Sequence, residues 1–125
     1  GEAAMLVEFT AMKSNHKLVY PYHLEQGVVD WRPMLLAILN EREIDKAWIA
    51  RKFHNPLAAI IVAVARLQSQ QEVLLTGGCF QNKLLLETTV SELRQASIEP
   101  YWHHRVPPND GGLAAGQAMA ALRAC

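Results

Sequence analysis

Two short stretches near the end of the chain hold the residue types best suited to chemistry. The first is Thr76-Gly77-Gly78-Cys79-Phe80-Gln81-Asn82, which lies between a short apolar run and an amphipathic one. Paired glycines let a backbone approach a phosphate with no Cβ in the way. A helix that starts just after them offers free N–H groups and about half a positive charge. Asn82 adds a side-chain donor and acceptor that could reach a phosphate or a sugar. A Gly-Gly pair also serves as a plain tight connection from strand to helix, and both readings stand at this point. The second stretch is Pro107-Pro108-Asn109-Asp110-Gly111-Gly112. An aspartate at a helix start is normally an N-cap. Held on a stiff proline loop that faces the first stretch, its carboxylate could instead ligate a divalent metal beside phosphates.

The remaining candidates are weaker. His103 and His104 are adjacent at a strand end, so they point to opposite sides and do not easily share a metal. His16, His23 and His54 stand singly and are expected as surface or half-buried residues. Cys79 sits near a helix N-terminus, which favours thiolate, but it has no histidine neighbour in sequence and is expected to be a small buried filler. Cys125, at the chain end, is expected to be exposed or frayed. Glu2 and Glu8, six apart on one helix, lie on different faces and do not form an acid/base pair.

These stretches are positioned by a strand–helix–strand–helix run. Residues 73–76 read as a short buried strand, 82–96 as an amphipathic helix, 98–102 as a second strand and 111–124 as a small-residue helix packed against the sheet. That order predicts an α/β unit with parallel strands, and ligands in such sheets bind beyond the strands' carboxyl ends. Upstream, residues 2–13 carry helical spacing. Residues 17–24, with Pro21 marking an edge strand, turn through Glu25-Gln26-Gly27 into a second strand and make a β-hairpin. Asp30 is a plausible cap for a helix over 31–40. Residues 43–71 form a long helical region, where Pro56 predicts a kink or break near 54–56 and Asn55 a second cap.

Composition narrows the function. The chain has 125 residues, half of them hydrophobic, with 12 basic and 12 acidic side chains. A zero formal charge supplies no field for nucleic acid or an anionic membrane. Charged residues make up 19%, below the usual quarter or so, which suggests apolar surface meant to be covered. The longest wholly apolar run, Leu57 to Ala65, is far short of the roughly 18–20 residues a membrane helix needs. Two distant cysteines form no disulfide framework, so a reducing cytoplasm is the expectation. No signal peptide is visible, and Gly1-Glu2-Ala3-Ala4 reads like the middle of a longer protein.

GGCFQN followed by PPNDGG and a Gly-Gln helix, with Gly1-Glu2-Ala3-Ala4-Met5 at the start and Arg51-Lys52-Phe53-His54 between, resembles the C-terminal end of the HypF carbamoyltransferases. The match runs over essentially the whole chain. The resemblance implies part of an actin-like, RNase-H-like half-domain with a mixed sheet, a β-hairpin and an inserted helical segment. It implies that a YrdC-like domain makes carbamoyl adenylate from carbamoyl phosphate and ATP. The domain partly represented here would then pass the carbamoyl group to the C-terminal cysteine of a HypE-type acceptor, towards the cyanide ligand of nickel–iron hydrogenase. Carried over by residue, Gly77, Gly78, Asn82 and Gly1 would approach the nucleotide and Asp110 would complete the site of a divalent metal (iron, zinc or magnesium). The nucleophile would belong to the partner, so no catalytic residue is assigned within the chain. The family's metal-binding histidines and its acylphosphatase-like, zinc-finger and YrdC-like regions are absent, so the 1–125 fragment is expected to be inert alone. Two other readings stay open: a fragment of a tRNA threonylcarbamoyl transferase, and a non-catalytic nucleotide-binding or docking module of the same fold.

Overall fold

In a computed structural model, residues 1–124 are described, and Cys125 lies outside them. Five α-helices and two two-stranded sheets follow one another: α1 (Glu2–Ala11), β1 (His23–Glu25), β2 (Val28–Asp30), α2 (Arg32–Asn40), α3 (Lys46–Leu67), β3 (Glu72–Leu75), α4 (Lys83–Gln95), β4 (Glu99–Trp102) and α5 (Leu113–Ala124). Short 3₁₀ turns at Gly78–Gln81 and Asp110–Gly112 precede α4 and α5.

The expected strand–helix–strand unit is present. β3 and β4 pair in parallel, with Leu74 opposite Tyr101 and Leu75 opposite Trp102. Leu75, Leu93 and Ile98 join Val62 and Ala65 of α3 in the main core. Burial of such side chains contributes roughly 1.5–3 kcal/mol each, which fixes α4 across the sheet. A smaller cluster of Ala11, Ala50 and Leu84 joins α1, α3 and α4 through small side chains that let the backbones approach.

The hairpin forms at Gln26-Gly27, both at positive φ, but its first strand is shorter than expected. His16 and Leu18 do not enter a ladder because their carbonyls accept from the Asn55 side-chain amide, at 2.9 and 2.7 Å. Pro21 supplies no donor either. Asp30, the expected cap, stands one residue before the observed one: Trp31 is the N-cap, and Asp30 Oδ1 accepts from the Arg32 amide at 3.0 Å.

α3 corrects the expected break at 54–56, for it runs through Pro56 without interruption. Proline inside a helix costs about 3 kcal/mol. Pro56 is fully buried, and the side chain of Asn55 is tied to two carbonyls of the preceding segment. Tertiary packing thus outweighs the local rule, and Asn55 anchors a loop rather than capping a helix. α3 starts at Lys46 under an Asp45 cap, whose carboxylate accepts from the Trp48 amide at 3.1 Å. The last helix also departs from expectation: no residue of α5 is buried, and Leu113 and Leu122 are 62% and 72% exposed. α5 packs on little besides the 3₁₀ turn before it, so Leu113, Met119 and Leu122 stay open to solvent.

Candidate functional site

Parallel pairing sends the chain out of β3 and β4 at the same edge, and a cleft of about 690 Å³ opens there. Its lining includes Thr76, Gly77, Gly78, His103, Asp110 and Gln117. Thr76 Oγ1 and His103 Nε2, one beyond each strand, lie 2.9 Å apart and join the two strand ends. Gly77 has φ 101°, a conformation that side chains oppose. In that conformation its N–H donates to the Pro108 carbonyl at 2.7 Å. The two sequence stretches therefore meet through one backbone bond. No Cβ contact lies within 4 Å of Gly78, so the wall at that point is bare backbone facing open space.

The second loop is set by Asn109, not by Asp110. Asn109 Oδ1 accepts from the Gly111 amide at 3.0 Å, and its carbonyl accepts from the Gly112 amide at 2.9 Å. A Cβ on Gly112 would stand 2.7 Å from the Pro107 carbonyl oxygen, so the loop closes tightly only over glycine. Because Asn109 takes the capping task, the Asp110 carboxylate makes no hydrogen bond or ion pair among the described residues and faces the cleft.

The start of α4 corrects the expectation of a free helix N-terminus. Glu8 Oε1, buried on α1, accepts from the amides of Lys83 and Leu84 at 2.7 and 3.3 Å. Asn82 Oδ1 accepts from Leu85 at 2.8 Å. A protein carboxylate thus fills the place sketched for a phosphate. Asn82 does not line the cleft; its other head, Nδ2, lies 2.9 Å from His54 Nε2. His54, expected near the surface, is only 3% exposed. Gly1 accepts from the Met5 amide at 3.1 Å as the N-cap of α1 and also lies off the cleft lining. Cys79, expected as a buried filler, is exposed, because the turn points it away from the core.

Sequence spacing could not reveal Glu8 or His54, since their partners lie 75 and 28 residues away. Asn109 was legible in principle, since asparagine caps as well as aspartate does. As for metal, no cluster of three or more His, Cys, Asp or Glu side chains occurs among the described residues. The free Asp110 carboxylate could fill at most one ligand position of a metal. No helix among the described residues is long and apolar enough to cross a membrane.

Comparison with known proteins agrees with this architecture. Residues 1–117 match the family described as carbamoyltransferase, Kae1-like domain, second subdomain. The carbamoyltransferase HypF of Synechocystis is 39% identical over 99% of this chain, and that of Rhizobium leguminosarum is 33% identical over 97%. A crystal structure of full-length HypF in its phosphate- and nucleotide-bound form superposes with a TM-score of 0.88 at 32% identity, covering 97% of this chain. HypF of T. kodakarensis gives 0.80 at 26% identity over 94%. The chain spans only 17% and 16% of the two curated relatives and 17% of the full-length crystal chain. By sequence match along nearly its whole length and by fold, the chain belongs to the HypF carbamoyltransferase family, as the second subdomain of the Kae1-like domain.

Proposed function

We propose that this chain forms one wall of a nucleotide cleft in a HypF-type carbamoyltransferase of the cytoplasm. In this reading, carbamoyl adenylate made from carbamoyl phosphate and ATP delivers its carbamoyl group to the C-terminal cysteine of a HypE-type acceptor. The observation that carries the reading is the Gly77 N–H···O Pro108 bond of 2.7 Å. It brings a side-chain-free turn and an unpartnered carboxylate to one cleft beyond parallel strands, where such sheets bind ligands. The similar full-length HypF crystallised in a phosphate- and nucleotide-bound form, which supports the same assignment.

Each residue has a task in this scheme. Gly77 and Gly78 let the phosphates approach the backbone. Asp110 supplies one ligand for a divalent cation (iron, zinc or magnesium), which when bound offsets phosphate charge. Asn82 holds the turn from behind. The attacking sulfur belongs to the acceptor, and no described cysteine lines the cleft. With one wall and one ligand, the chain by itself is catalytically inert.

Gly78→Ala tests the reading, because a Cβ there meets nothing within 4 Å. In the protein as its organism makes it, the variant should melt at the wild-type temperature. It should bind Mg-ATP about tenfold more weakly, a loss of about 1.4 kcal/mol. Unchanged affinity would remove the Gly77–Gly78 turn from the nucleotide site.

A further inference from the structure

We infer that His54, buried in the middle of α3, is a positioning residue for the cleft: its imidazole holds Asn82, and through Asn82 the Gly77–Gly78 turn. The inference rests on the nucleotide reading above only for its functional consequence; the linkage stands on geometry.

The hydrogen bonds define one proton arrangement. His54 Nδ1 lies 2.8 Å from the Ala50 carbonyl, which can only accept, so Nδ1 carries the proton. In the neutral ring Nε2 is then bare and accepts from the Asn82 amide nitrogen at 2.9 Å. The Asn82 oxygen is pinned independently by the Leu85 N–H at 2.8 Å. Both heads of the Asn82 amide agree on the same orientation, and a flip would break both contacts. Asn82 is also the residue that ends the 3₁₀ turn, its own N–H donating to the Cys79 carbonyl at 3.1 Å. The Phe80 N–H donates to the Gly77 carbonyl at 3.1 Å, and the Gly77 N–H donates to Pro108 at 2.7 Å. A continuous run of hydrogen bonds thus leads from the interior of α3 to both loops of the cleft. The ring fills a buried place that an apolar side chain could occupy. Its second nitrogen adds what an apolar side chain lacks, a fixed acceptor for the turn.

Three substitutions separate this role from mere packing. Glutamine can place its amide oxygen near the position of Nε2 and keep the Asn82 contact. Asparagine can reach only the Ala50 carbonyl and loses it. Asn82→Ser keeps the helix cap and also loses the contact. Amide hydrogen–deuterium exchange over residues 76–82, followed by mass spectrometry in the protein as its organism makes it, reads the turn directly. His54→Asn and Asn82→Ser should each speed exchange there and weaken Mg-ATP binding about tenfold, the size of one lost buried hydrogen bond. Their combination should be no worse than either alone. His54→Gln should match the wild type in both readouts. Equal exchange in the Asn and Gln variants, or additive losses in the double variant, would overturn the inference. If the wild type itself fails to bind Mg-ATP, the nucleotide reading falls, while the exchange pattern still decides the linkage.

Discussion

The carboxylate of Glu8 lies 2.7 Å from the amide of Lys83, joining α1 to the start of α4 across 75 residues of sequence. The negative charge meets the positive end of the helix in a buried setting, and a second amide, Leu84, shares it at 3.3 Å. Glu8→Ala should therefore cost about 2 kcal/mol in urea unfolding, since a half-buried and a buried N–H group lose their acceptor. Glu8→Gln keeps an oxygen in place and should cost only about 1 kcal/mol. A Glu8→Ala protein as stable as wild type would show that α1 contributes nothing to α4.

Asn109 and Asp110 divide two tasks that one residue often performs. Asn109→Ala removes the cap and should lower stability by about 1 kcal/mol. Asp110→Asn should leave the melting temperature where it is, because its carboxylate bonds to nothing among the described residues. The same Asp110→Asn change should weaken divalent-cation-dependent nucleotide binding, measured by calorimetry with and without the cation. The reverse pattern would exchange the two roles.

Glycine at 112 is a steric requirement. Its added Cβ would stand 2.7 Å from the Pro107 carbonyl oxygen and 3.2 Å from Val106 Cγ1. Gly112→Ala should destabilise by about 1–3 kcal/mol, as overpacking does. It should also loosen the Pro108 carbonyl from Gly77, seen as faster exchange of the Gly77 amide. Wild-type stability in this variant would mean that the loop yields without strain.

A half-buried cluster around Tyr20 responds to pH. Tyr20 O–H and Lys52 Nζ both donate to the Glu41 carboxylate, each at 2.6 Å, and the ammonium also lies 4.4 Å from the Tyr20 ring centre. The Lys52 hydrogen bond, followed by that of Tyr20, holds Glu41 below its ordinary value of 4.5. Its contribution is present above that value and is lost as pH falls through the lowered one. Burial, then the hydrogen bond and charge of Glu41, push the Tyr20 hydroxyl above its ordinary 10.0. That contribution is intact below the ordinary value and is lost as pH rises through the raised one. The urea midpoint should thus fall at both extremes. Tyr20→Phe should abolish the alkaline fall and leave much of the acid one, because Lys52 still pairs with Glu41; an alkaline fall unchanged in Tyr20→Phe would place its origin elsewhere.

Local sequence made the cleft end of the fold legible. Val73-Leu74-Leu75, the amphipathic spacing of Leu86, Val90 and Leu93, and the paired glycines are signals contained within a dozen residues, and the structure places them as a parallel strand–helix–strand unit. What stayed hidden depends on distant partners. Pro56 obeys its neighbours in space rather than its own backbone preference, with its ring fully buried and Asn55 reaching back to residues 16 and 18. The start of α4 looked free for phosphate because nothing near it in sequence reveals Glu8. Asn82 looked like a ligand-facing amide because His54 lies on another helix. The exposure of α5 was equally unreadable, since its small residues fit a tight packing and an open face alike.

The bond from Gly77 to Pro108 has a genetic consequence. Both of its atoms belong to the main chain, so substitutions away from Gly77 and Gly112 change the decoration of the two loops without deleting the tie between them. Only proline at 77 would remove the donor, and a φ of 101° bars proline's ring from that position in any case. The side chains that line the cleft, such as Thr76, His103 and Gln117, can therefore drift or be redesigned while its two lips stay tied to each other.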